Sequence, residues 1–176
     1  MKISGPESLT VTQQSQDLGL ATGNVVVGEE GGLTRAYFEL RIDSGSSSVY
    51  GLGSFFIGAV REGLDHEKAH YDSNNAWFVH LYNGDLFGNG KKGSDTQGRG
   101  TIKVGDRVGV LIDTEGEGCV LFFKNGQQFG PGYVGGVSGR LVLGVQLGNV
   151  NHQVTLLPDA DEPAEPFMKW EGYKED

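Results

Sequence analysis

Hydrophobic and polar positions alternate along this chain in short bursts. Over residues 35–42, Phe38, Leu40 and Ile42 fall on one side, with Tyr37, Glu39 and Arg41 on the other. That is the period-two pattern of a half-buried strand. Residues 108–113 repeat it with Val108, Val110 and Ile112, and residues 140–147 with Leu141, Leu143, Val145 and Leu147. Residues 55–60 form an apolar strand candidate, and residues 119–124 are apolar at both parities, which predicts a central strand of its sheet. Shorter strands are predicted over 9–12, 24–27, 76–82, 85–87 and 151–157. Gly58 interrupts an apolar run and reads as a bulge or a close backbone approach. Asn83-Gly84 and Asn125-Gly126 each follow a strand and predict hairpins, because a type I′ turn needs positive φ at both central residues. No stretch of a dozen residues keeps a 3.6-residue period.

Many short strands joined by Gly, Asn and Asp turns predict an all-β fold, a twisted two-sheet antiparallel β-sandwich. Longer irregular stretches at 61–75 and 88–103 are candidate binding loops, since a rigid scaffold presents function on its loops. Composition agrees. Gly accounts for 30 of 176 residues without a collagen period, and 37% hydrophobic content excludes glycine-rich disorder. One domain is expected over residues 1–158, followed by an acidic segment, 159–176. Pro158, Pro163 and Pro166 space that segment, which ends in Phe167-Met168-Lys169-Trp170-Glu171-Gly172-Tyr173. Its aromatics either pack back on the domain or form a linear motif that docks on a partner.

Charge narrows the function classes. Of the net −9, residues 159–176 carry −5 and residues 1–158 the remaining −4. Neither part has the basic face that a phosphate backbone or an anionic membrane surface requires, so nucleic acid and membrane are not expected partners. No run of 18 apolar residues could span a bilayer. The first residues lack a signal-peptide core, and a single cysteine cannot support a disulfide framework, so an intracellular, cytoplasmic setting is expected. Cys119 itself is expected to be buried and inert, with a raised pKa.

Several strings resemble catalytic motifs without their context. His66-Glu67-Lys68-Ala69-His70 spells H-E-x-x-H, but Gly63 before it and Asn74-Asn75 after it leave room for at most two helical turns. Zinc chemistry needs both histidines on one helix face and a third ligand. A solvated loop with a capped helical turn is the reading here. The acidic turn carrying Asp113, Glu115 and Glu117 lacks the distal ligands of a calcium loop and reads as a solvated hairpin turn. His80 and His152 read as structural histidines within strands. No catalytic residue, metal site or cofactor is expected. The alternative for a sandwich is a carbohydrate-binding, lectin-like or glycosidase-related domain, which would need paired carboxylates or calcium ligands.

Five blocks in order resemble the SPRY family: Tyr37-Phe38-Glu39-Leu40-Arg41-Ile42; Phe56-Ile57-Gly58-Ala59-Val60; Trp77 leading to Tyr82-Asn83-Gly84 and Asn89-Gly90; Val104 through Asp113; and Leu121-Phe122-Phe123-Lys124-Asn125-Gly126-Gln127. They cover about residues 35–157, and the companion PRY pattern is absent before them. The resemblance implies a concanavalin-like, jelly-roll type sandwich acting as a non-catalytic protein-interaction module. Such a module would be an adaptor, or a scaffold subunit of a larger assembly, binding a protein or short peptide. Carried over by position, its partner contacts fall at Tyr71 and Asp72, at Gln14 and Gln16, and at Gln146 and Leu147. Leu147 stands where peptide-binding members often carry an aromatic.

Overall fold

The computed structural model describes residues 2–4, 9–15, 17–45, 54–94 and 102–164, the first three and Ser94 by backbone alone. Fourteen strands are present among them: β1 (Lys2–Ser4), β2 (Thr10–Thr12), β3 (Gly19–Thr22), β4 (Arg35–Ser44), β5 (Phe55–Arg61), β6 (Ala76–His80) and β7 (Leu86–Gly88). They continue as β8 (Lys91–Ser94), β9 (Arg107–Asp113), β10 (Cys119–Lys124), β11 (Gln127–Gln128), β12 (Tyr133–Val134), β13 (Leu141–Leu147) and β14 (Gln153–Leu156). The described residues contain no helix. Sheet A runs β1-β2-β14-β4-β9-β10-β11, with β12 also pairing β10, and sheet B runs β3-β13-β5-β6-β7-β8. Every pairing is antiparallel.

The core lies between the sheets, where the alternation placed it. Leu40, Ile42, Val108, Val110, Ile112, Val120 and Phe122 of sheet A meet Phe55, Ile57, Trp77, Val79, Leu141, Val145 and Leu147 of sheet B. Each large side chain taken out of water here stabilises the fold by roughly 1.5–3 kcal/mol. The outer faces are apolar as well. On sheet B, Leu20, Phe56, Val60, Ala76, Phe78 and Val142 are buried beneath loop side chains. On sheet A, Leu111, Leu121 and Phe123 form a smaller patch with Tyr37 and Cys119. A strand that is apolar at both parities therefore marks a covered outer face, whatever its place in the sheet.

That explains two departures from expectation. β10 is not central, since only the two-residue strands β11 and β12 lie beyond it. Its Cys119 is half-buried rather than fully buried. Burial, followed by the charge of Asp113, still pushes its pKa up. The 24–27 run forms no strand; Val27 makes one isolated bridge to Leu141, and the edge strand is β3 instead. Part of the 88–103 stretch is ordered as β8. Of the Asn-Gly turns, Asn125-Gly126 (φ 50° and 82°) and Asn89-Gly90 (φ 44° and 85°) have both residues at positive φ. Asn83-Gly84 does not, because only Gly84 is positive (φ 77°) in a wider loop closed by the Gly84 N–H donating to the His80 carbonyl at 2.8 Å.

Gly58 is a close approach and not a bulge. Its register is continuous with Gly144 on one side and Phe78 on the other, and a Cβ there would lie 1.9 Å from the Trp77 carbonyl oxygen. A neighbouring strand's backbone cannot yield as a side chain can. Gly58→Ala is accordingly expected to cost at least about 3 kcal/mol in urea unfolding, at the upper end of overpacking penalties.

The loop entering β9 is pinned by one carboxylate. Asp106 accepts from the Lys103 N–H at 2.8 Å and from Asn125 Nδ2 at 3.0 Å, with Lys124 Nζ at 3.7 Å. Burial opposes its charge, but these donors outweigh that effect and hold its pKa below the ordinary carboxylate value. Because the folded pKa is depressed, the stabilisation is present above the unfolded value of about 3.9 and is lost as pH falls through the folded one. The stability deficit of Asp106→Asn relative to the parent, measured by urea unfolding, should therefore narrow below about pH 4.

Candidate functional site

Register places one row of side chains across the outer face of sheet B: Leu20 on β3, Gln146 on β13, Phe56 on β5 and His80 on β6. Gln146 is the sole polar member of its strand outside the glycine, and it is fully buried. Its Oε1 accepts from the His70 N–H at 2.7 Å, and its Nε2 donates to the Lys68 carbonyl at 3.0 Å. Residues 62–75 form no strand ladder, so this amide supplies a donor and an acceptor to their backbone. The Leu20 N–H, on the outer edge of β3, adds a bond to the His66 carbonyl at 2.9 Å.

With the loop so held, Tyr71 lands on Phe56, rings parallel and 4.9 Å apart. Phe56 also stacks on His80 at 4.6 Å, and Phe87 meets all three rings edge-on. Stacked and edge-to-face pairs of this kind add roughly 0.5–1.5 kcal/mol beyond burial. His80 Nδ1 bonds Asn83 Oδ1 at 3.1 Å, a structural role.

A second buried amide does the same work on the neighbouring segment. Gln13 donates through Nε2 to the Leu147 carbonyl at 3.0 Å and to the Asp17 carbonyl, and its backbone N–H donates to His152 at 2.9 Å. A continuous framework thus runs from Gln13 through Leu147 and Gln146 to His70. Gln14 leaves one end of it exposed, and Asp72 leaves the other exposed beside the half-buried Tyr71. Between the segments lies an open groove of about 880 Å³ lined by Ser15, Asp17, Leu18, Leu20, His66 and Glu67, among others. Its rim is acidic through Asp17 and Glu67.

The six expected contact residues are thus divided. Gln14, Tyr71 and Asp72 reach the surface, while Leu147 sits in the core and Gln146 lies beneath the loop, so both act from within. Gln16 lies outside the described residues. Sequence reasoning missed Gln13, Asp17 and Glu67. A lone amide in an otherwise apolar strand, as at Gln146, was the one available signal of a buried polar anchor.

The strings resembling catalytic motifs are spent on structure. Residues 66–70 form turns rather than a helical turn, His66 is exposed, and His70 Nε2 is bonded to the Asp65 carbonyl at 2.7 Å. Asp65 accepts from the Glu67 N–H at 2.9 Å, and that amide holds its pKa low. In the acidic turn, Asp113 is paired with Arg35 at 2.7 Å and accepts from the Glu115 N–H at 2.9 Å. Among the described residues no three His, Cys, Asp or Glu side chains are grouped to hold a metal.

The sequence profile of the SPRY domain matches residues 35–157. The crystal structure of the SPRY domain of human HERC1 superposes with a TM-score of 0.65 at 19% identity, covering 84% of this chain and 87% of that one. A second crystal structure, of a human SPRY domain, gives 0.63 at 20% identity, covering 86% and 92%. At these identities the likeness to the solved structures is one of fold. No curated protein matches the chain.

If the Gln146 amide anchors the loop, Gln146→Leu leaves the His70 N–H and the Lys68 carbonyl without their partner. A loss of about 2 kcal/mol is expected in urea unfolding. The same variant should lose hydrogen-exchange protection at the His70 amide while the core strands keep theirs.

Proposed function

The chain belongs to the SPRY domain family, generally a protein–protein interaction module, and on that premise we propose that it is a non-catalytic recognition domain. It takes an extended segment of a partner protein, or a short peptide, along the surface formed by residues 13–15, 17–20 and 65–72. The observation that carries this reading is the pair of buried glutamine amides. They stiffen two otherwise irregular segments beside an open groove, and pre-ordered loops lose little entropy on binding. The rim charges Asp17 and Glu67, with the exposed Asp72 on the same loop, favour a partner segment carrying Lys or Arg, through on-rate and orientation more than raw affinity. Adaptor and scaffold-subunit roles both follow from such a surface. The carbohydrate-binding alternative has less support, because Asp113 and Glu115 of the acidic turn are held in structural bonds.

A photo-crosslinking amino acid at Gln14 or Asp72 should trap the partner in the native cell. The same group at Val134, exposed on β12 of the other sheet, should not. Trapping from Val134 with none from Gln14 or Asp72 overturns the assignment. The double charge reversal Asp17→Lys/Asp72→Lys should reduce capture of that partner by about tenfold or more at unchanged melting temperature, as for exposed charges that steer and register an interface.

A further inference from the structure

The outer face of sheet A carries an apolar patch with little apolar cover among the described residues. Leu111, Leu121 and Phe123 point away from the core yet are 1%, 0% and 1% exposed. The apolar side chains among the described residues that pack on them are Tyr37, whose ring meets Phe123 edge-on at 5.7 Å, and Cys119. A half-buried tyrosine and a thiol are small cover for three large apolar groups.

The chain itself leads a cover to the place. After β14 the Leu157 N–H donates to the Glu39 carbonyl at 2.8 Å, which starts the segment along β4. Leu157, Pro158, Ala160 and Pro163 then line, with Tyr37, Glu39 and Arg107, a space of about 520 Å³ on this same face. Glu162 pairs with Arg35, which also holds Asp113. The described chain ends at Ala164, two residues past Glu162, whose partner Arg35 lies in one row with Asp113 and Cys119. The Tyr37–Leu111–Leu121 row is two strand residues away, about 7 Å. Glu165-Pro166-Phe167-Met168-Lys169-Trp170 come next and hold three large apolar side chains in four positions. Five residues from Glu162 to Phe167 reach up to about 17 Å. Residues 165–176 lie outside the described residues.

We propose that the segment around Phe167 and Trp170 docks in cis on the Leu111–Leu121–Phe123 patch, completing the outer layer of sheet A. The acidic, proline-spaced stretch before it is then the strap that delivers it, fixed at Arg35. This surface belongs to the sheet opposite the groove described above, so the inference stands apart from the recognition surface.

Trp170→Phe leaves the core Trp77 untouched, so the difference between parent and variant emission isolates Trp170. The expected difference spectrum is blue-shifted and protected from acrylamide at every protein concentration. A water-exposed, freely quenched Trp170 overturns the proposal. Protection that appears only with a dimer in sedimentation overturns it too, in favour of a second copy as the cover. As an independent reading, alkylation of Cys119 should run about tenfold faster in the full-length double variant Phe167→Ser/Trp170→Ser than in the parent, since thiol reactivity follows exposure. Equal rates in the two folded proteins overturn the proposal.

Discussion

A β-sandwich without helices has two outer faces to keep from water, and on sheet B that requirement governs the rest of the molecule. Leu20, Phe56, Val60, Phe78 and Val142 would be solvated if the sheet were bare. The cover is a loop, and a loop laid on an apolar face loses water from its own backbone without gaining a ladder in return. Gln146 resolves the conflict. One buried amide offers both a donor and an acceptor, and it holds two peptide groups of the loop at once. Without it, the face could be covered only by leaving the Lys68 carbonyl and the His70 N–H unsatisfied.

Covering and presentation are therefore one act. The bonds that press the 61–75 loop onto the sheet also fix Tyr71 on Phe56 and turn Asp72 outward. Gln13 repeats the device on the next segment, and both reach the end of β13. β13 is firmly held, because each of its seven residues is buried and it is paired on both sides. The stiffness of the surface loops is thus borrowed from a strand fixed by the core. Gly58 contributes from the neighbouring strand, letting β5 and β6 close to a distance that any side chain would prevent.

Legibility in the sequence follows the same physics. β4, β9 and β13 were readable because one face is core and the period-two pattern is a direct image of that. β3 was not, since Gly-Leu-Ala-Thr is short and lies at an edge, where pairing to β13 and not side-chain pattern makes it a strand. Residues 24–27 were misread for the converse reason: Val25 to Val27 are β-formers, but Val25 is exposed and Val27 alone is bridged. β10 read as central because apolar residues at both parities mark two covered faces, and pattern cannot say whether a strand or a loop does the covering. At the candidate site, Tyr71 and Asp72 were reached through family resemblance, with nothing local to single them out. Gln146, expected as a partner contact, lies buried beneath the loop, and a polar residue in a strand looks the same in sequence whether it faces solvent or supports a loop.

The two sheets then meet one demand by different means. Sheet B is covered by an internal loop, tied at both ends to strands and pinned between them, so its cover cannot leave without breaking buried hydrogen bonds. On sheet A the segment after β14 is held, among the described residues, through Leu157 to Glu39 and through Glu162 to Arg35, and the second of these is an exposed ion pair. Exposed pairs of that kind contribute about 1 kcal/mol or less and weaken with salt. The face whose cover is laced through its middle is therefore the one suited to holding side chains still for recognition.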